Sequence, residues 1–463
     1  MQHISCPEGS KNIFRAYDIR GIVGESITPA LIYTLGKAIG SAAQDQGEQT
    51  IITARDGRLS GPNLMAALNK GLRESACDVI DIGQVPSPVL YFATHYLHCR
   101  SGVMLTASHN PSDYNGLKIV LAGKSLSEGA IDELYLRIQA GAFKSGEGSY
   151  QATSVTEAYL NRITQDISLV RPLRVVLDCG NGVGGVVAPE LLRRLGCEVI
   201  ELFCDVDGRF PNHHPDPSVS ENLKDLIVSV QQHKADIGLA LDGDGDRLGV
   251  VTNQGEIIWP DRQMMLYAMD VLSRNPGALI IYDIKSTGLL AKLIEKYGGH
   301  PLMWKTGHSI MKAKLEESGA LLAGEMSGHI FFKERWYGFD DGLYTAARLL
   351  EIVAKSNKDV GALFSKLPNS INTPELKLAM PEDKKFAFIQ AFQAQIDFPG
   401  AKLSKIDGVR ADFSDGWGLV RASNTSPCLT LRFEADSSAA LKRIQMLFRN
   451  ALLAMDAHLE LPF

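Results

Sequence analysis

Paired cysteines are missing from this sequence. Its seven cysteines (Cys6, Cys77, Cys99, Cys179, Cys197, Cys204 and Cys428) are scattered over 463 residues with no Cys-x-x-Cys pair. An odd, dispersed set excludes a disulfide framework and predicts reduced thiols in a cytosol. Excess positive charge is also missing. A net charge of −6 argues against a nucleic-acid or anionic-membrane surface, while leaving room for a local basic pocket. Met1 to Lys11 hold no apolar core of the signal-peptide kind, and no run approaches membrane-spanning length. A cytoplasmic protein that binds neither nucleic acid nor membrane is expected. What is present is ordinary globular composition, 45% hydrophobic and 22% charged, in a chain long enough for two to four domains.

Taken in order, the chain repeats one plan three times. In the first unit an apolar run, Ile51–Ala54, ends in Arg55-Asp56-Gly57-Arg58. A helix-like segment (Pro62 to Glu74), a second run (Val79–Gly83) and another helical segment follow, and Val103-Met104-Leu105 then leads into the loop around Ser108. The second unit starts at Val175–Gly180. It continues through a helix pattern (Val186 to Leu195, stopped by Gly196) and a strand at Val199–Phe203. Its third strand, Ile237–Leu241, ends in Asp242-Gly243-Asp244-Gly245-Asp246-Arg247. The third unit has Leu279–Lys285, a helix from Leu289 to Tyr297, and Pro301–Trp304. Leu321–Ala323 then ends in Gly324-Glu325-Met326-Ser327-Gly328-His329. Apolar strands alternating with helices predict parallel α/β units, with ligand loops at the carboxyl ends of the strands. From about Pro368 the texture changes. Thr373–Met380 and Leu429–Ala435 alternate like exposed strands, and Ser438–Leu453 patterns as one amphipathic helix. The expected architecture is three similar α/β domains with mixed, largely parallel sheets (1–153, 154–256, 257–368) plus a smaller α+β domain (369–463) around one cleft.

The loops carry the chemistry. Asp242, Asp244 and Asp246 repel one another unless a cation or basic partners join them, and oxygen ligands suit Mg²⁺ or Ca²⁺. An EF-hand is excluded, because Arg247 stands at the glycine position and Asn253 at the final glutamate. Gly180-Asn181-Gly182-Val183-Gly184-Gly185 matches a dinucleotide fingerprint. Asp178 and Cys179 intrude before it, however, and Glu201 lies inside the next strand instead of at its end, so a tight strand–helix turn is expected. Glu325, Ser327 and His329 alternate and can face one side, a set able to grip vicinal sugar hydroxyls or, with Ser327 as cap, to open a helix. Arg421-Ala422-Ser423-Asn424-Thr425 combines a guanidinium with hydroxyl, amide and backbone donors, which suits a phosphate dianion.

Thr106-Ala-Ser-His-Asn-Pro, Asp242-Gly-Asp-Gly-Asp-Arg, Gly324-Glu-Met-Ser-Gly-His and Arg421-Ala-Ser-Asn-Thr, in this order, resemble the four signatures of the α-D-phosphohexomutase superfamily. The resemblance spans essentially the whole chain, including Arg15-Ala-Tyr-Asp-Ile-Arg-Gly. The Gly-Glu-Met-Ser-Gly-His loop and the overall length resemble its bacterial phosphomannomutase/phosphoglucomutase branch. This resemblance implies a phosphoserine at Ser108 that donates to a hexose 1- or 6-phosphate. A hexose 1,6-bisphosphate intermediate and activator then turns over within the cleft. It implies Mg²⁺ held by Asp242, Asp244, Asp246 and a phosphate oxygen on Ser108, with Arg247 sharing the charge. Lys118, Arg20 and His329 are the general acid/base candidates, unranked. Tyr17, Lys285 and His308 join Glu325, Ser327, Arg421, Ser423, Asn424 and Thr425 around a hexose phosphate, and the working unit is expected to be a monomer. Rival readings are a haloacid-dehalogenase-like phosphatase with Asp242 as nucleophile, a phosphoglucosamine mutase, a nucleotide-dependent oxidoreductase and a non-catalytic sugar-phosphate binder.

Overall fold

The computed structural model describes residues 10–463, so Cys6 lies outside the described residues. Each repeat builds a sheet of the same order. In the first, β1 (Thr50–Arg55) pairs parallel with β2 (Asp78–Gln84) and β3 (Gly102–Leu105), and β4 (Tyr114–Leu121) returns antiparallel beside β3. In the second, β5 (Arg174–Asp178) pairs parallel with β6 (Glu198–Leu202) and β7 (Ile237–Leu241), and β8 (Leu248–Thr252) returns beside β7. In the third, β9 (Leu279–Asp283) lies between β10 (His300–Trp304) and β11 (Leu322–Gly324), and β12 (Ile330–Phe332) returns beside β11. The returns are antiparallel for a simple reason. The loops after β3, β7 and β11 are too short to hold the crossover of about a dozen residues that a parallel partner needs. Each of these loops is therefore a short arch pinned at both ends.

Two expectations need correction. The helix expected from Val186 starts later, at Ala188, after a 3₁₀ turn over Val183–Val186, and Gly196 ends it with φ +88°. Leu429–Ala435 is not an exposed strand. Cys428–Ala435 is buried throughout and sits centrally in an antiparallel sheet, between Gly416–Ala422 and the short strands Ile371–Asn372 and Leu376–Ala379. Its alternating polar residues face the third domain instead of water. Arg432 donates to Asp261 (2.9 Å) and to the Lys285 carbonyl (2.5 Å), and Glu434 accepts from the Gly288 N–H.

One apolar core runs through the first three domains. Phe92, in helix Ser87–Tyr96, stacks on Trp336 (6.3 Å between centroids) and meets Tyr159 edge-on (5.5 Å). Tyr159, in helix Thr156–Asp166, donates to both oxygens of Asp341, each at 2.9 Å. The last domain docks differently, by ion pairs (Arg432–Asp261, Lys285–Glu375), by Arg410 on the carbonyls of Ile284 and Ser286, and by a small patch of Ile284, Trp417 and Leu419. No helix of the described residues is long and apolar enough to cross a membrane. The six described cysteines are free and buried.

Candidate active site

β3 is buried along its length, and the chain leaves it through Thr106, whose hydroxyl accepts from the Ser108 N–H (2.8 Å). Ser108 sits in the left-handed region, φ +50°, where a side chain costs roughly 1–2 kcal/mol, so its surroundings must impose the turn. Its Oγ donates to Asp242 Oδ2 at 2.8 Å and lies 3.2 Å from His109 Nδ1. The Asp242 loop approaches closely because Gly243 has no side chain: a Cβ there would stand 2.3 Å from the Ser108 carbonyl oxygen.

Asp242, Asp244 and Asp246 are fully buried and offer oxygens within 4.8 Å of one another. Lys118, in β4, reaches Asp244 (2.6 Å) and Asp246 (2.5 Å), and Arg247 Nε lies 3.7 Å from Asp242. Two cations against three carboxylates leave the cluster negative. Burial and the neighbouring charges of Asp246 and Asp244 push the Asp242 carboxyl well above its usual range. Asp244 Oδ1 and Asp246 Oδ1 are buried without a hydrogen-bond partner. A hard divalent cation fits this donor set, which is all oxygen, net anionic and left with free lone pairs. Burial works against a charged Lys118, but Asp244 and Asp246 outweigh it and hold the ammonium well above the usual lysine range.

The third domain supplies the adjoining wall. Arg247 Nε donates to His329 Nε2 (3.0 Å), while His329 Nδ1 lies 3.1 Å from Asp340, which also pairs with Lys312 at 2.9 Å. His308 stacks on His329 (5.5 Å) and meets Tyr17 edge-on (5.2 Å). Burial, then the Lys312 charge, pushes the His308 pKa well below the ordinary imidazole value. Glu325 accepts from the Gly307 N–H and, at 3.3 Å, from the Ser327 hydroxyl, and burial raises its carboxyl.

The fourth domain closes the cavity. Arg421 Nε donates to Asp407 (3.0 Å), while its Nη2 is buried with no partner. Ser423 Oγ accepts from the N–H groups of Thr425 (3.3 Å) and Ser426 (3.1 Å), which shapes the loop. Lys285 pairs with Glu375 at 2.9 Å. Arg20 pairs with Asp18 and donates to Asn110 Oδ1 at 2.5 Å.

These side chains meet around one cavity of about 590 Å³. Tyr17, Arg20, Ser108, Lys118, Arg247, Lys285, His308, Glu325, Ser327, His329, Arg421, Ser423, Asn424 and Thr425 all line it. The three aspartates are not among the lining residues and lie behind Ser108 and Lys118. The Gly180 run is a tight turn. The Gly180 N–H donates to Asp178, and a Cβ on Gly185 would stand 1.8 Å from the Cys204 carbonyl oxygen.

Several site neighbours escaped the sequence reading, among them Ser87, Glu375, Asp407 and Asp340. One signal was available. An aspartate ends or directly follows the central strand of each repeat: Asp56 after Arg55, then Asp178 and Asp283 as last residues. All three are buried and tie down loops. Asp56 accepts from Arg58 and Thr106, Asp178 from Gly180 and His213, and Asp283 from Ser286, Thr306 and Met326.

A repeated α/β/α plan with four converging loops defines the class, and the chain belongs to the phosphoglucomutase/phosphomannomutase family. Models of that family's α/beta/alpha domains I, II and III match residues 11–145, 157–255 and 259–371, and its C-terminal domain matches 375–451. A Pseudomonas aeruginosa phosphomannomutase/phosphoglucomutase is 55% identical over 463 residues, covering 100% of both chains. A Neisseria gonorrhoeae phosphoglucomutase is 51% identical over 457 residues, 98% of this chain and 99% of its own. A crystal structure of a phosphoglucomutase/phosphomannomutase family protein from Burkholderia thailandensis is 53% identical. It superposes with a TM-score of 0.93 over 98% of this chain and 99% of that one.

Proposed function

We propose that this chain moves phosphate reversibly between the 1- and 6-positions of mannose and glucose phosphates, through phosphorylated Ser108 and a hexose 1,6-bisphosphate. The observation that carries this reading is the pairing of Ser108 Oγ with the buried aspartate cluster on one side of the cavity, while Arg421 offers a free guanidinium nitrogen from another domain. Asp242, Asp244 and Asp246, with a phosphate oxygen on Ser108, would hold Mg²⁺, which when bound neutralises charge on the transferring phosphoryl group.

In the forward half-reaction the sugar hydroxyl oxygen bonds to phosphorus and the P–Oγ bond of Ser108 breaks. Oγ leaves with the electron pair, and the hydroxyl proton passes to a base, from which it can return to Oγ. We assign that base to His329, whose Nε2 gives up its bond from the Arg247 Nε–H to take the proton. Imidazole is the only one of the three candidate side-chain types that exchanges a proton near neutral pH. Arg20 is a guanidinium, and Lys118 is held charged by two carboxylates. The bisphosphate then reorients and returns its other phosphate to Ser108. Arg421, Ser423, Asn424 and Thr425 take the distal phosphate in either orientation, helped by Lys285. Glu325 and Ser327 hold O3 and O4, beside Tyr17 and His308. Within this reading the domains divide at 153, 256 and 368, and one chain, complete in its cavity, is the working unit.

A grip on O3 and O4 does not sense C2, where mannose and glucose differ. Glu325→Ala is expected to lower kcat/KM about 10–100-fold for both sugars alike, the worth of one or two hydrogen bonds to a charged group. Steady-state assays with mannose 1-phosphate and glucose 1-phosphate check this, and a loss confined to one sugar would sink the shared grip. The phosphatase reading loses its nucleophile. Asp242 is fully buried, and its oxygens are engaged by Ser108, the Asp246 N–H and the Arg247 N–H. Mass spectrometry decides the class. A phosphoryl group on Ser108, removed by hexose phosphate, is expected. A serine that hexose 1,6-bisphosphate leaves unmodified would overturn the mutase reading.

A further inference from the structure

Arg58 is a fully buried arginine with no place in the chemistry above and does not line the cavity. Its whole donor fork is spent on the Ser108 loop and its support. Nε donates to Asp56 Oδ2 at 3.1 Å. Nη1 donates to the carbonyls of Pro111 and Tyr114, the latter at 2.9 Å. Nη2 donates to the carbonyls of Ser108 (2.9 Å) and Asn110 (2.6 Å). Asp56 completes the brace: it accepts from the Arg58 N–H (3.0 Å) and from the Thr106 hydroxyl (2.8 Å), and that hydroxyl accepts from the Ser108 N–H. The second domain seals the far side. The Phe210 ring lies 5.2 Å from the guanidinium carbon, and a Cβ on Gly208 would stand 2.6 Å from the Gly57 carbonyl oxygen.

Four carbonyl oxygens, three from the loop and one from Tyr114 at the start of β4, therefore converge on a single cation behind Ser108. Each carries partial negative charge that would oppose a phosphate dianion if it faced the cavity. With them turned to Arg58, Ser108 Oγ is left facing Asp242, at 2.8 Å. Only a planar fork with five donors makes this set of bonds, because an ammonium has three donors and no fixed plane. A buried Arg–Asp pair is also weak support for stability, since uncharged replacements of similar volume often fold as well. What the pair secures is one loop conformation, including the left-handed Ser108.

We propose that Arg58, braced by Asp56, is a positioning residue for phosphoryl transfer: it sets the aim of Ser108 Oγ through the loop carbonyls, without touching substrate or phosphate. This rests on the phosphoserine reading, so the full-length wild-type chain is examined first. If it shows no mutase turnover and no phosphorylated Ser108, that reading fails, independently of Arg58.

With an active wild type, Arg58→Lys is expected to lose about 100-fold in kcat, the cost of an ångström-scale misplacement, with KM changed less than about threefold. The neutral pair Arg58→Met with Asp56→Asn should melt as one cooperative transition near the wild type and stay as slow as Arg58→Lys. Guanidinium ion in millimolar amounts should restore part of the lost kcat of Arg58→Ala and leave Arg58→Lys unchanged. The proposal is overturned if folded Arg58→Lys or the double variant keeps kcat within about threefold of wild type, or if the loss appears in KM. It is equally overturned if no Arg58 variant yields folded protein, because the side chain would then serve folding alone.

Discussion

Replacing Ser108 with alanine is expected to leave hexose-phosphate binding within a few-fold of wild type while turnover falls on the order of 10⁴-fold or more. The size of the loss follows from the chemistry. Phosphate-monoester cleavage is among the slowest uncatalysed reactions, and without the serine oxygen the transfer has no covalent relay. On the proposed reading binding should survive, because the sugar and the distal phosphate are assigned to other loops, around Glu325 and Arg421. Added hexose 1,6-bisphosphate should not rescue the variant. Ser108→Gly, which removes the hydroxyl and relaxes the left-handed turn at φ +50°, should be as inactive and no less stable. Coupled assays give the turnover and calorimetry the affinity. Residual turnover within tenfold of wild type in both variants would remove Ser108 from the reaction.

Stripping the divalent ion should be nearly as damaging. A chelator is expected to abolish turnover and Mg²⁺ to restore it. Asp244→Asn should lower kcat about 10³-fold and raise the Mg²⁺ concentration needed, because the charge on the transferring phosphoryl group is then poorly offset. The fold should survive in both cases, since Lys118 and Arg247 already sit against the carboxylates. Mg²⁺ should raise the melting temperature of the wild type in proportion to the logarithm of its concentration, and the rise should shrink in Asp244→Asn. Unimpaired activity in protein shown by elemental analysis to be free of divalent metal would contradict the assignment.

The repeats and their ligand loops are legible in the sequence because local rules govern them. β7 runs Ile237–Leu241 as its apolar run implies, and polar loops end β3, β7 and β11 where open sheets hold ligands. Cys428–Ala435 departs from the expectation because alternation of polar and apolar residues reports two different faces, not which face meets water. Here the polar face meets another domain, through Arg432 and Glu434. Arg58 and Asp407 stayed hidden for a related reason. Arg58 serves a loop some fifty residues further along the chain, and no local periodicity encodes such a meeting. The buried aspartate that closes the central strand of each repeat was open to comparison between repeats. The flanking residues mask it, because Asp56 lies between Arg55 and Gly57, Asp178 precedes a cysteine and Asp283 an isoleucine.

The shared interior of the first three domains bears on how relatives of this chain can exchange parts. Phe92, Tyr159 and Trp336 come from three different domains and pack on one another. A chimera that imports one of these domains alone would face foreign partners across a close-packed seam, where a mismatch of one methylene is felt. The last domain is held mostly by ion pairs and one small apolar patch, so it is the natural unit of exchange. Recombination among such chains should leave the first three domains inherited as a block and the fourth free to trade.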